Sequence, residues 1–318
     1  MTNLSVIAFP GAPNLPLFAA QAHGFFTDAG IDVDFQTTPS SVFQFEQFGA
    51  GTVDIAFTAF DNVVAYREGQ GAVKLPSLPD FRAVMGCTQI ELSLVVAPDI
   101  RTVEDLRGRS LALDAVTTGF AFVLYEMLAL SGLAPGDYEV TPVGATPERW
   151  RSVKEGTHAG TITIEPFTSI ARAAGFPTLL KSSDFFPAYQ GGVIAARRDW
   201  ATENEEALTA FLGVYLRGLD WVLNPANHEA AAAILAERMP EIQPKALDAV
   251  MRSLLSERSG LTPDGAILRD GARTVLDLRS KYGVGGAVLT DIDRYLDLGL
   301  RERALAPARL KDRRAWIS

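Results

Sequence analysis

Residues 1 to 70 alternate between strand and helix patterns three times, and this alternation leaves few architectures open. Leu4-Ser5-Val6-Ile7-Ala8-Phe9 is an apolar run of strand length, broken by Pro10-Gly11-Ala12-Pro13-Asn14. Leu15 to Phe26 carries apolar residues at helical spacing and stops near Gly24. Ile31 to Phe35 alternates apolar and acidic residues, as a strand with one wet face does. A helix over Val42 to Gly49, a strand over Val53 to Phe57 and a helix from about Phe60 to Glu68 complete the series. Strands separated by helices pair in parallel, because each crossover returns the chain to the same edge of the sheet.

The pattern restarts after strands at Phe81 to Gly86 and Leu92 to Ala97 and a capped turn at Thr102 to Gly108. Strands at Ser110 to Leu113, Tyr138 to Val143 and Ala159 to Ile164 alternate with helices at Thr118 to Leu130 and Pro147 to Glu155. A further helix opens at Glu165-Pro166-Phe167. The restart implies a second lobe, and 318 residues suffice for two. Gly191 to Ala196 then reads as one more strand. Beyond Asn204 the pattern is helical, over Ala207 to Leu223, Glu229 to Arg238, Lys245 to Leu255, Arg269 to Tyr282 and Asp291 to Leu298.

Composition excludes several functions. A formal net charge of -9 argues against nucleic acid as a partner. The single cysteine, Cys87, allows no internal disulfide, and His23, His158 and His228 show no metal-ligand spacing. No metal or cofactor is expected, and no glycine loop of phosphate-binding type is present. No apolar run is long enough to span a membrane. If Met1 is the native start, the sequence implies a cytoplasmic protein. If an export signal was trimmed, it implies a periplasmic or extracellular one.

Several phrases carry a family resemblance. They are Phe18-Ala19-Ala20-Gln21 with His23-Gly24-Phe25-Phe26, Ala29-Gly30-Ile31-Asp32-Val33 and Gly51-Thr52-Val53-Asp54-Ile55-Ala56. Val103 to Arg109, Glu165-Pro166-Phe167, and Phe211-Leu212 with Tyr215 to Trp221 follow in order. Together, over roughly residues 4 to 240, the chain resembles substrate-binding proteins of the sulfonate, nitrate and thiamine-precursor group. The resemblance implies a two-lobed α/β fold of the type II periplasmic-binding-protein kind. Each lobe would be a mostly parallel sheet flanked by helices, with hinge strands between. The first lobe would combine residues 1–92 and 191–318, and the second residues 93–190. A small-molecule ligand would sit in the cleft, and an ABC permease would be a partner.

In that fold the strand-end turns face the cleft, which nominates ligand-binding residues by position. The first lobe offers Pro10, Asn14, Ser40, Ser41, Gln44, Thr58, Phe60 and Asp61. The second offers Asp114, Thr117, Thr118, Phe120, Thr163, Glu165, Tyr189 and Gln190. Thr58, Asp61 and Asn62 read as caps opening a helix at the edge of the first sheet. Thr117 and Thr118 equally read as helix caps, and Phe60 and Phe120 as core. Three carboxylates, Asp61, Asp114 and Glu165, fall on these turns, and no lysine or arginine does. That lining favours an aromatic or heterocyclic amine over a simple anion, with a sulfonate-like ligand held by N–H groups as the other choice. The alternative function is an enzyme on the same fold, a lyase such as a decarboxylase or desulfinase. The same three carboxylates would be its acid/base candidates.

Overall fold

The computed structural model describes residues 1–77 and 79–306, so the tail 307–318, which the sequence assigns to the first lobe, lies outside the described residues. The chain opens with β1 (Thr2–Ala8), α1 (Leu15–Ala22), α2 (Phe25–Asp28), β2 (Ile31–Thr37), α3 (Ser41–Ala50), β3 (Ile55–Ala59), α4 (Phe60–Arg67) and β4 (Phe81–Thr88). The single helix expected over Leu15 to Phe26 is two, because Gly24 takes φ 69° and turns the chain. The second lobe follows: β5 (Ser93–Val96), β6 (Ser110–Leu113), α5 (Gly119–Leu130), β7 (Glu139–Pro142), α6 (Thr146–Lys154), β8 (Gly160–Thr163), α7 (Phe167–Ala173) and β9 (Thr178–Lys181). Then come β10 (Gly192–Arg197), α8 (Arg198–Glu203), α9 (Glu205–Leu223), α10 (His228–Arg238), α11 (Pro244–Leu254) and α12 (Arg269–Tyr282).

Two five-stranded sheets result, in the orders β2-β1-β3-β10-β4 and β7-β6-β8-β5-β9. Each is mixed. β1 pairs in parallel with β2 and β3, and β6 with β7 and β8. β10 runs antiparallel to β3 and β4, and β5 antiparallel to β8 and β9. The antiparallel members are the strands that have just crossed from the other sheet. They arrive from the hinge side and so run against their neighbours. The two crossovers, β4 to β5 and β9 to β10, are the covalent links between the sheets.

The long helix α9 buries Leu208, Phe211, Leu212, Tyr215, Leu219 and Val222, a single stripe at helical spacing. Gly218 lets its backbone approach α1, where a Cβ would lie 2.3 Å from the Pro16 carbonyl oxygen. The helix expected over Asp291 to Leu298 does not form. Only a 3-10 turn, Asp293–Tyr295, is helical there. Leu296 instead bridges Ala83 in parallel, and the Tyr295 hydroxyl donates to Glu68 at 2.9 Å. Edge pairing and an anchored side chain outcompete a weak local helix preference.

α12 returns from the C-terminal region to pack on both lobes, against α4 of the first and α5 of the second. One apolar cluster accordingly runs through Phe60 and Val63, Leu94 and Phe122, and Val275 and Leu276.

Candidate functional site

A cavity enclosing about 800 Å³ of empty space, its open mouth included, lies between the two sheets at the strand ends. The end of β1 and the following turn contribute Phe9, Gly11, Pro13 and Asn14, while β3 and α4 contribute Phe57, Thr58, Ala59 and Asn62. Across the cleft stand Asp114, Thr118, Gly119 and Phe120, then Thr146 and Arg149 of α6, and Ile164. Hinge residues Cys87, Thr88, Ile90, Gly192 and Val193 complete the lining. The walls are mostly apolar and aromatic with a few convergent polar groups, which is the character of a small-molecule site.

The lobes touch along several seams around this space. The Ser41 N–H donates to both carboxylate oxygens of Asp114, at 3.2 and 3.1 Å. The Ala145 N–H donates to the Pro39 carbonyl at 2.8 Å, and the Ala12 N–H to the Glu165 carbonyl at 3.2 Å. On α12, Lys281 and Tyr282 both reach Glu126 of α5 at 2.5 Å.

Of the nominated residues, Asn14, Thr58, Asp114, Thr118 and Phe120 line the cavity. The others do not. Pro10 sits between two lining residues without being one. The Ser40 hydroxyl caps α3 by accepting from the Phe43 N–H, and Gln44 donates to the Phe57 carbonyl. The Ser41 Oγ and Gln44 Oε1 are buried without a hydrogen-bond partner. Phe60 is core, edge-on to Tyr295. Thr163 bonds Thr168 of α7 and the Ser93 carbonyl of the adjacent strand, and the buried Tyr189 backs onto Gly271. Gln190 ties the hinge to the C-terminal region, donating to the Gly192 carbonyl and accepting from the Leu268 N–H. The Thr117 carbonyl accepts from Arg279 at 3.0 Å.

Of the three expected carboxylates, Asp114 alone borders the cavity. Asp61 is buried in a two-pronged pair with Arg279, at 2.7 and 2.6 Å, so its charge is neutralised away from the cavity. It does not cap α4 either. The N-cap is Ala59, with no side-chain cap, and Asn62 donates to Thr58 instead. Asp114 spends its charge on the N-terminus of α3. Glu165 turns back onto Ser169, accepting from its hydroxyl at 2.9 Å and its N–H at 3.2 Å.

A cation that the strand-end turns did not suggest does line the cavity. Arg149 is 3% exposed and donates to the Gly144 carbonyl (2.9 Å), Thr161 (3.1 Å), Thr146 (2.9 Å) and the Ile162 carbonyl. All four are neutral acceptors. Desolvation lowers its pKa to about 10, partly offset by Asp114 and Glu148 acting at a distance. The usable signal was the Thr146-Pro147-Glu148-Arg149 helix start. A side chain on the first turn leans back toward the N-terminus and so reaches the cleft edge. The N-terminus of α6 adds to this positive field, as does that of α5. Their N-caps, Ala145 and Thr118, make no side-chain cap, and intrahelical bonding begins only at the Arg149 and Phe122 N–H groups.

Burial pushes the Cys87 thiol up to about 12, against a smaller lowering by the neighbouring Tyr215, so it stays protonated. None of the three histidines lines the cavity. Among the described residues no cluster could hold a metal ion, and no helix is long and apolar enough to cross a membrane.

Burial raises the Glu165 carboxyl to about 7, against the two Ser169 hydrogen bonds that lower it. The folded protein therefore holds this proton more tightly than the unfolded chain does. Its stabilisation is complete below the unfolded value of 4.5 and is lost as pH rises toward about 7. The loss is about 3 kcal/mol by linkage. Glu165→Gln is expected to flatten urea-derived stability across that window. A variant with the wild-type slope would remove Glu165 as its source.

Comparisons with known proteins agree with this architecture. The periplasmic nitrate-binding protein NrtA from Synechocystis PCC 6803 superimposes with a TM-score of 0.79 at 14% identity, covering 98% of this chain and 90% of that one. The alkanesulfonate-binding protein SsuA from Xanthomonas axonopodis pv. citri, bound to MOPS, gives 0.72 at 16% identity over 93% and 96%. The desulfurization enzyme DSZB gives 0.63 at 13% identity over 97% and 100%. At such identities the likeness shows a shared two-lobed fold, and that fold serves binding proteins and an enzyme alike. No curated protein sequence matches the chain. The NMT1/THI5 like family model matches residues 13–228, more than half of the chain, and the protein therefore belongs to the NMT1/THI5-like family.

Proposed function

We propose that this protein is the solute-binding component of an ABC-type importer and that its ligand is a small organic anion with an apolar or aromatic body. One observation carries the ligand class. The buried Arg149 guanidinium lines the cavity, and every group it hydrogen-bonds is a neutral acceptor, with Asp114 acting on it from a distance. A carboxylate or sulfonate there would add a directly contacting countercharge and gain charge-assisted hydrogen bonds. Phe9, Phe57, Phe120, Ile90 and Val193 would pack on the rest of the molecule. Of the two ligand types the sequence admits, this favours the sulfonate-like one over the amine. The moving bodies would be residues 1–92 with 191–318, and residues 93–190, closing about the two crossovers. The nitrate- and sulfonate-binding neighbours support solute binding and a location outside the cytoplasm, and the likeness to a ligand-binding component of an ABC-type import system from Staphylococcus aureus supports an ABC permease as partner. The protonated Cys87 thiol and the committed Asp114 favour binding over lyase chemistry.

The test is a thermal-shift and calorimetry panel of aryl and alkyl sulfonates, matching carboxylates and matching amines. Anions are expected to stabilise the fold, by about 2.7 kcal/mol at a hundredfold excess over Kd. Stabilisation by amines alone would overturn the reading.

A further inference from the structure

We propose that closure of the cleft is gated by a glycine latch at the edge of the cavity, in which the bare Cα of Gly119 lands on the Asp61–Arg279 pair. The two halves belong to different lobes. Asp61 is on the first turn of α4 and Arg279 on α12, while Gly119 opens α5. A Cβ on Gly119 would lie 2.4 Å from the Asp61 Cβ, 2.5 Å from its Cγ and 2.9 Å from its Oδ2. Carbon atoms do not approach that closely. Asp61 has no room to yield, since both its oxygens are held by Arg279 and it is 1% exposed. The same guanidinium donates to the Thr117 carbonyl at 3.0 Å, and its central carbon sits 4.8 Å from the Phe122 ring centroid. One arginine thus fixes Asp61 within the first lobe and grips α5's entry turn from the second.

The latch positions the ligand wall. Thr118, Gly119 and Phe120 are the turn's contribution to the cavity, and they reach it only when the turn is seated on Asp61. Asp61 and Arg279 are therefore positioning residues. The glycine is required by contact between lobes and not by backbone conformation, because it opens a regular helix. Alanine at this position suits the helix itself. Gly119→Ala should leave each lobe folded and keep the lobes apart.

This inference uses the cleft reading above, yet its test needs no ligand. Spin labels are attached to Glu46→Cys and Lys154→Cys, exposed on α3 and α6, in a Cys87→Ala background, because the free Cys87 thiol borders the cavity. Distance distributions are then measured for the ligand-free labelled protein, with and without the further substitution Gly119→Ala. The protein that retains Gly119 is expected to populate the interlobe distance of this structure, and Gly119→Ala to lose that population at an unchanged melting temperature. Adding MOPS as an anionic probe should move the first protein further toward the short distance and not the second. Phe120→Ala is the control, expected to weaken MOPS binding without changing the ligand-free distances. Identical distributions with and without the alanine substitution, or a protein that retains Gly119 yet lacks the short distance, would overturn the latch. A distance change on Gly119→Ala with no response to any organic anion would leave the latch standing and sink the proposed ligand class.

Discussion

Asp61→Ala is expected to lower the unfolding free energy by about 3–5 kcal/mol, because it leaves a guanidinium buried and unpaired. The Asp61 and Arg279 side chains are 1% and 0% exposed, so solvent cannot replace the lost partner. Arg279 would keep only the Thr117 carbonyl and Gln70. The cost belongs to the absent charge and not to the pair as such. The double variant Asp61→Ala, Arg279→Met should therefore recover much of the loss. Urea unfolding of the two single variants and the double variant closes this cycle. Additive losses would show that the two residues do not act as a unit.

The second large effect lies at Arg149. Arg149→Met is expected to weaken binding of an organic anion about a hundredfold, or roughly 2–3 kcal/mol, the worth of charge-assisted hydrogen bonds. Its effect on stability should be smaller, because two terms oppose. Four neutral acceptors lose a donor, while the cost of burying an unneutralised charge disappears. Arg149→Lys keeps the charge and loses the planar fork, so it should fall between the two in affinity. Calorimetry on a sulfonate that stabilises the wild type checks the series. Wild-type affinity in a folded Arg149→Met protein would remove the guanidinium from the site.

Both predictions concern arginines whose importance the local sequence hides. Arg279 is 218 residues from the aspartate it neutralises, and Arg149 is one turn inside a helix. A search of the strand-end turns finds Asp61, Asp114 and Glu165 and counts them as charges facing a ligand. Asp61 and Glu165 are spent elsewhere in the folded chain, on Arg279 and on Ser169, while Asp114 borders the cavity and accepts from the α3 N-terminus. The local argument was sound about where the turns lie. It could not give the field inside the cleft, because electrostatics depends on every group brought near, whatever its position in the chain.

The fold was more legible than the site for a related reason. Strand and helix periodicities are local, so the alternation from Leu4 to Glu68 and its restart near Ser110 appear directly in the residue order. The short β9 and the pairing of Leu296 with Ala83 depend on edges supplied by distant strands, and no periodicity announces them. The turns that form the cleft were likewise visible, and Asn14, Thr58, Asp114, Thr118 and Phe120 line it. Only the tertiary structure decided that Asp61 and Gly119 meet across the cleft. A glycine that opens a helix has no local reason to be glycine. Its reason is the side chain of another lobe, 2.4 Å from where its own Cβ would be.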